Sequence, residues 1–343
     1  MRIIRIPDEP PPAQPPEVVA TIGNFDGVHL GHRNLIGKVV ERAAEMGLHS
    51  AVVTFDPHPR LVLTPDDPVH LLSTTQDKAE LLAPLGIDLL LVWRFDQETR
   101  DLPAGAFLER LNRWVRLRRL LHGPGFAIGR GREGSAEVIA AIGRRLGFDV
   151  EEVPPLALIA GGDRPVASTA DSAPTGRVLS SSAIRALVEA GQIRRATEAL
   201  GHPPTLTGTV VEGARLGRAL GFPTANLRLD LPFAIPADGV YAAWAELAPY
   251  TAQARRVPAA VSIGTRPQFG GDRRVVEAHL LDFAGDLYGQ SLRLHFVARL
   301  RGQERFRDVP ALVAQMQRDV AAVRALLAAA RDGHEPELLA ADG

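Results

Sequence analysis

The chain has 343 residues, of which 45% are hydrophobic and 23% charged, and its formal net charge is -1. That length and composition suit about two soluble globular domains, and the near-neutral charge gives no electrostatic reason to expect nucleic acid or a membrane as partner. The absence of cysteine excludes disulfides, thiolate metal sites and cysteine nucleophiles.

No apolar stretch reaches the length that spans a bilayer and the N-terminus lacks a signal-peptide core, so the cytoplasm is the expected compartment. Lys38 and Lys78 are the only lysines. A Gly-Lys-Ser/Thr phosphate loop is therefore ruled out, and nucleotide chemistry must use glycine backbone, histidine, hydroxyls and arginine.

Residues 1–16 end in Pro10-Pro11-Pro12-Ala13-Gln14-Pro15-Pro16 and read as a loose extended tail. Strand patterns follow at 18–22, 51–55, 88–93, 118–122 and 148–153, with helical patterns at 33–46, 75–84, 104–116 and 134–146. This alternation predicts a doubly wound parallel sheet, whose ligands bind beyond the carboxyl ends of the strands. The first strand empties into Thr21-Ile22-Gly23-Asn24-Phe25-Asp26-Gly27-Val28-His29-Leu30-Gly31-His32, a glycine-marked turn that opens a helix. Free N–H groups and the positive dipole end make that junction receptive to phosphate. His29 and His32 can donate hydrogen bonds to phosphoryl oxygens as charge builds on them. Taken alone, His-x-Gly-His is equally a plain turn with exposed polar residues.

Residues 160–178 are rich in Gly, Ser, Thr, Asp and Pro and read as a mobile loop. Helices follow at 181–190 and 193–200. At the first of these, Ser180-Ser181-Ser182 can cap the helix and bind phosphate, and Arg185 lies one turn in; a serine run by itself is usually a cap. Gly201-His202-Pro203-Pro204 marks a boundary, which gives domains at 1–200 and 205–331 and a tail at 332–343. Short strands at 206–212, 224–229, 239–247, 257–263, 275–283 and 291–298 predict a small closed antiparallel barrel. The last helix, 309–330, carries Leu312, Val313, Met316, Val320, Val323, Leu326 and Leu327 on one stripe, which reads as core packed on the barrel.

The turn at Gly23–His32 and the serine–arginine motif together resemble the nucleotidylyltransferase superfamily. With Thr54-Phe55-Asp56-Pro57-His58-Pro59 they are similar to the N-terminal half of bacterial bifunctional riboflavin kinase/FAD synthetases. The second half agrees independently. Gly208-Thr209-Val210-Val211-Glu212-Gly213 leads into Gly217-Arg218-Ala219-Leu220-Gly221-Phe222-Pro223-Thr224-Ala225-Asn226, which resembles the riboflavin kinase signature. Pro236–Tyr241, Ser262–Pro267, Val276–Phe283, Leu287–Gly289 and Leu300-Arg301 fit the same family, so the resemblance runs from Val18 to Leu327.

The resemblance implies a nucleotidylyltransferase-type sheet domain followed by a riboflavin kinase barrel with a terminal helix. It also implies the substrates ATP, riboflavin and FMN, with Mg²⁺ as cofactor. For adenylylation it assigns ATP to Gly23, Asn24, Phe25, Asp26, Gly27, His29, His32, Ser181, Ser182 and Arg185, with His29, His32 and Arg185 catalytic. Flavin falls to His58, Pro59, Phe126 and Glu277. For the kinase it assigns ATP to Gly213, Gly217, Arg218, Gly221, Pro223, Thr224 and Asn226. Thr224 and Asn226 offer oxygens to Mg²⁺, and Glu277 accepts the proton of the riboflavin 5′-hydroxyl. The expected assembly is a monomer or weak homo-oligomer.

The sequence departs from the family pattern after the fourth strand pattern. There Gly125 stands in place of an Asp or Asn, and Ile128 in place of an aromatic; Gln268 replaces a threonine after Arg266-Pro267. The first two changes remove a hydrogen-bonding group and a ring from the flavin side of the adenylyltransferase site. Two alternatives therefore stand beside the bifunctional enzyme. One is a riboflavin kinase with an impaired or repurposed adenylyltransferase domain; the other is a non-catalytic flavin or nucleotide sensor.

Overall fold

Val18, Val19, Ala20, Thr21 and Ile22 are all buried, as a central strand covered on both faces must be. The computed structural model describes residues 1–158, 165–167, 177–213, 217, 220–265 and 274–331. By packing, the chain divides into one unit of Met1–Val69 with Thr74–Ser181, and a second of His70–Ser73 with the chain from Ser182 onward.

In chain order the strands of the first unit are β1 (Arg2–Ile6), β2 (Glu17–Ile22), β3 (His49–Asp56), β4 (Leu89–Arg94), β5 (Arg116–His122), β6 (Ala127–Ile128), β7 (Gly134–Ser135) and β8 (Asp149–Glu152). Six of them form one sheet in the order β1-β4-β3-β2-β5-β8, with every pairing parallel. β6 and β7 make a separate short hairpin. The helices are α1 (Leu30–Met46), α2 (Pro59–Leu63), α3 (Thr75–Leu82), α4 (Gln97–Asp101), α5 (Ala104–Leu111) and α6 (Ala136–Leu146). Alternation along β3 shows how both faces are covered. Val52 packs with Ile36 of α1 and Leu82 of α3, while Ala51 and Val53 pack with Phe107, Leu111 and Ile139 of α5 and α6. From β2 the chain adds strands first in one direction (β3, β4) and then in the other (β5, β8). The switch point lies between β2 and β5, where open α/β sheets leave a crevice at the strand ends.

A small antiparallel sheet of β9 (Leu156–Leu158), β10 (Pro165–Ala167) and β11 (Arg177–Val178) follows, so parts of the expected mobile loop are strand. The remaining residues of 160–178 lie outside the described residues, as does the expected tail at 332–343.

The second unit contains α7 (Ser181–Glu189), which begins on the last residue of the first unit, and α8 (Ile193–Leu200). Its strands are β12 (Thr205–Val211), β13 (Ala225–Arg228), β14 (Gly239–Leu247), β15 (Arg255–Thr265), β16 (Arg274–Leu280) and β17 (Ser291–Arg301), and a final helix is α9 (Val309–Arg331). The strands close into a barrel in the order β12-β13-β16-β15-β14-β17. Every pair is antiparallel. Closure leaves no edge strand. Residues His70–Ser73 join this unit through Leu71, which bridges Phe233. The Leu71 N–H donates to Pro232 O at 2.7 Å, and the Ala234 N–H to Leu71 O at 2.9 Å.

Three expectations need correction. Arg2–Ile6 is not loose tail but an edge strand paired with β4; Ile4 and Ile6, on one face of its alternation, are buried in the core. The helix expected over 104–116 stops at Leu111. Asn112 Oδ1 takes the Leu117 N–H at 3.1 Å, and Leu117 and Leu120 are needed as core strand residues. The α9 stripe is core only in its second half. Val323 and Leu327 are buried against Ala242 and Leu281, with Val320 and Leu326 packed on them, whereas Leu312 and Met316 line a cavity that Val320 also borders. Packing also groups α7 and α8 with the barrel, although both precede the proline-marked boundary at residues 201–204.

On β14 and β17 the barrel buries an ion cluster. Glu246 accepts from Arg293 at 2.9 Å and from His295 Nε2 at 2.5 Å, and Arg293 lies over the Tyr250 ring at 4.7 Å. Burial, with Arg256 adding to it, pushes His295 down to about 4. Burial pushes Glu246 up, but hydrogen bonds from His295 and Arg293 outweigh it and hold the carboxyl below its ordinary value. Unfolded chain therefore binds a proton at this histidine that folded chain refuses, between about pH 4 and its unfolded value of about 6.5. Stability should fall as the pH drops through that window, by up to about 3 kcal/mol from His295. Urea midpoints at pH 7 and pH 4.5 measure this, and His295→Gln should flatten the difference.

Candidate functional site

The turn after β2 has a backbone few sequences would choose. Phe25 and Val28 hold φ of +46° and +39° on either side of Gly27 at +77°. For a β-branched residue such as Val28 this region is a true outlier. What fixes it is burial: both side chains are enclosed with Ile36, Val52, Leu82, Leu90 and Val92. The Val28 N–H closes the turn on Phe25 O at 3.1 Å, and Arg33 Nε donates to Val28 O at 3.2 Å.

Beneath the turn lies Lys78, on α3, buried despite its charge. Its Nζ donates to Asn24 O at 3.2 Å, Thr54 Oγ1 at 3.3 Å and Phe55 O at 3.4 Å. Thr54 Oγ1 in turn donates a hydrogen bond to Asn24 O at 3.1 Å. Burial lowers the Lys78 pKa, while Asp26 and Asp56 act to raise it.

His29 is the N-cap of α1, its Nδ1 accepting the His32 N–H at 3.3 Å. A neutral ring with Nδ1 used as acceptor carries its proton on Nε2. The His29 and His32 rings stack with centroids 3.6 Å apart, and Phe25 meets His32 edge-on at 5.2 Å. Burial, then the charges of His29 and Lys78, hold His32 well below its ordinary pKa. Its Nδ1 is enclosed without a hydrogen-bond partner among the described residues. Ser181 joins this turn, its Oγ donating to Asp26 O at 3.1 Å. Ser182 and Arg185 belong to the second unit, where Arg185 Nη1 reaches Ser182 Oγ at 3.4 Å.

At the end of β3, His58 caps α2 by accepting the Arg60 N–H at 3.2 Å, and Pro59 is the first helical residue. At the end of β5, across the switch point, buried His122 stacks on Phe126 with centroids 5.1 Å apart. Gly125 has φ of +68° with open space where a Cβ would sit, and Ile128 packs against the core. An Asp or Asn would tolerate that backbone, so its loss removes a polar group without reshaping the loop.

In the barrel, Asn226 on β13 stands directly opposite Glu277 on β16, and Glu277 opposite Ser262 on β15. Thr224 and Glu277 share a cavity of about 220 Å³ with Ser262, His279, Arg301 and Asp319. Its outer wall is held by a two-pronged ion pair, Arg301 Nε to Asp319 Oδ1 at 3.0 Å and Nη2 to Oδ2 at 2.7 Å. His279 Nδ1 donates to Pro223 O at 2.8 Å and its ring meets Phe222 edge-on, which fixes the backbone just before Thr224. Pro223 and Thr224 also line a second cavity, of about 560 Å³, with Phe283, Leu287 and Tyr288. A Cβ on Gly213 would lie 2.2 Å from Asn226 Nδ2, so this glycine lets the backbone lie flat against the amide.

Residues 12–170 match the family model of FAD synthetase, and residues 200–327 that of riboflavin kinase. The chain is 36% identical over 313 residues to a bifunctional riboflavin kinase/FMN adenylyltransferase of Pseudomonas fluorescens, covering 90% of this chain and 93% of the relative. The chain belongs to the bifunctional riboflavin kinase/FMN adenylyltransferase family. A second member, from Escherichia coli K12, is 35% identical over 302 residues, covering 88% of this chain and 90% of that one. A Streptococcus pneumoniae crystal structure described as a macrolide-efflux protein has the same fold, with a TM-score of 0.75 at 26% identity over 94% of this chain and 98% of that chain. No described helix of the present chain is long and apolar enough to cross a membrane.

As a member of this family the chain carries two transferase domains, a riboflavin kinase and an FMN adenylyltransferase. Among the expected residues, the structure brings Asp26 and Ser181 together, stacks His29 on His32, pairs Asn226 with Glu277 across the ladder, and sets Thr224 and Glu277 in one cavity lining. Arg218 and the Arg266–Gln268 stretch lie outside the described residues. Lys78, His122, His279 and the Arg301–Asp319 pair were not singled out as site residues. Lys78 follows the Thr74–Asp77 capping box by one residue, which marks the helix start but gives the lysine itself no functional signal. Gly213→Ala should push Asn226 aside and slow FMN formation at least about tenfold, or about 1.4 kcal/mol. Steady-state assays should show FAD formation from supplied FMN unchanged.

Proposed function

We propose that the barrel transfers the γ-phosphoryl group of ATP to the riboflavin 5′-hydroxyl, giving FMN and ADP. The sheet unit then transfers AMP from a second ATP to FMN, giving FAD and pyrophosphate. The observation that supports this reading is that Thr224 and Glu277 share one cavity in the barrel unit, while His29 and His32 stack at the start of α1 in the sheet unit. An alcohol near neutral pH needs a base to attack phosphorus, and Glu277 shares a cavity with Thr224. The FMN phosphate is already anionic, so adenylylation needs positioning and charge stabilisation instead.

In the sheet unit His29 presents Nε2–H, because Nδ1 is taken by the helix cap. Together with His32 and the N-terminal N–H groups of α1 it stabilises charge growing on the α-phosphate. Ser181 closes over the polyphosphate from the Asp26 side, and the family resemblance gives Ser182 and Arg185 the departing pyrophosphate. In the barrel, Thr224 supplies a hydroxyl and Asn226 an amide oxygen for Mg²⁺. Both are hard neutral oxygen donors that suit this ion when phosphates and water complete its shell. The Asn226 amide is buried against the Gly213 backbone, so its direction is set before any ion arrives. Bound there, Mg²⁺ offsets the charge of the ATP phosphates. The reading includes a cytoplasmic enzyme that is a monomer or weak homo-oligomer.

One observation favours a second reading, a riboflavin kinase with an impaired or repurposed adenylyltransferase domain. Gly125 offers no side chain to a ligand, and Ile128 no ring. A time course with riboflavin, ATP and Mg²⁺, resolved by chromatography, decides between them. FMN followed by FAD is expected; FMN that never becomes FAD sinks the bifunctional reading, and neither product sinks both. Glu277→Gln should reduce FMN formation to background while FAD formation from supplied FMN persists. His32→Ala should do the reverse, and loss of both activities in either folded variant contradicts two separate sites.

A further inference from the structure

Lys78 is the one lysine among the buried residues, yet the reactions proposed above give it no role. It contacts the adenylylation turn through backbone rather than through any substrate-facing group. Its ammonium ties three oxygens from two strand ends: Asn24 O, just after β2, and Thr54 Oγ1 and Phe55 O, on β3. Those strand ends carry the motif of His29 and His32 and the motif of His58. An ammonium has three protons, and three acceptors at 3.2–3.4 Å match that number.

We propose that Lys78 is a positioning residue for FMN adenylylation, a buried cationic strut that holds the Asn24–Asp26 backbone against β3 and sets the electrostatics of the His29–His32 pair. The proposal rests on the adenylyltransferase reading given above. Three observations support it beyond the hydrogen bonds. Burying an ammonium costs far more than burying an apolar chain, and Met or Leu would fill the same volume without that cost. The helix bearing it is fixed at its start by a reciprocal capping box, Thr74 with Asp77, so the strut has a rigid base. And the charge acts on the site: His29 and Lys78 both oppose protonation of His32, while Asp26 and Asp56 are the carboxylates that favour the Lys78 charge. A neutral His32 donates through one nitrogen and keeps the other as an acceptor; a protonated ring does not.

Lys78→Met removes the charge and all three hydrogen bonds at nearly constant volume; Lys78→Arg keeps the charge but changes its geometry. In full-length protein, Lys78→Met should lower kcat for FAD formation from supplied FMN about a hundredfold, leaving FMN formation from riboflavin within about twofold. The acid limb of the adenylylation pH profile should move to higher pH, because His32 loses the cation that opposed its protonation. NMR titration of histidine-labelled apoprotein, with His32 assigned by its absence in His32→Asn, should show the same upward shift. That readout needs no turnover, so it judges the strut even if the wild-type protein makes no FAD, an outcome that would sink the adenylyltransferase reading separately. An unmoved His32 titration in Lys78→Met overturns the proposal, as does an equal loss of both activities in a folded variant. Should Lys78→Met fail to fold, Lys78→Arg decides. The proposal expects a reduced kcat for FAD with His32 titrating as in wild type, and either an unchanged kcat or a shifted titration overturns it.

Discussion

The site proposed for adenylylation depends on a strained turn that the hydrophobic core keeps in place. Left-handed backbone at Phe25 and Val28 costs on the order of 1–3 kcal/mol per residue. Burying two side chains of this size returns about 1.5–3 kcal/mol each, so the balance is met only because both are enclosed. Everything functional nearby follows from the path this turn takes. It starts α1 at His29, aims the Asp26 carbonyl at Ser181 and turns the Asn24 carbonyl toward Lys78. Apolar packing and the placement of polar groups are thus one constraint at this junction, set by the buried side chains of Phe25 and Val28.

On the proposed reading the two halves use protonation in opposite ways. In the sheet unit, burial and neighbouring positive charge keep an imidazole neutral beside a helix N-terminus. The work proposed there is to receive anionic groups without having to move a proton. In the barrel a carboxylate stands opposite an amide and shares a cavity with a hydroxyl, as the proposed loss of a proton from an alcohol would require. The ladder register does the positioning there: Asn226, Glu277 and Ser262 form a row across three strands, so their spacing is inherited from the 4.7–4.9 Å strand separation common to all sheets. A barrel holds such a row rigidly because it has no free edge.

Much of this was legible in the sequence, and the exceptions have physical causes. The parallel sheet, the closed barrel and the last helix follow from periodicity, since each buries a regular stripe or a continuous apolar run. β1 was hidden because Arg2-Ile3-Ile4-Arg5-Ile6 is only five residues long, with exposed Ile3 breaking the apolar alternation, and then meets prolines that dominate any composition reading. The overlong helix at 104–116 arose because Trp114 and Val115 continue an apolar pattern that in fact leads into β5. The histidines and serines could be found because their motifs are local. Lys78 could not, since its meaning comes from Asn24 and Thr54, remote in sequence and near only once the sheet has formed. Nor does periodicity tell a core stripe from a cavity wall, which is why Leu312 and Met316 read as core.

The bridge between Leu71 and Phe233 bears on how this protein can be divided. Four residues from within the first half of the chain are counted, by packing, in the barrel unit. Severing the backbone between the two family segments would give a C-terminal piece whose Pro232 carbonyl and Ala234 N–H had lost the partners that Leu71 supplies. Modular in its chemistry, the protein is laced together in its covalent thread. Either half could be recast by evolution as an independent protein only after that short segment had been replaced or made dispensable.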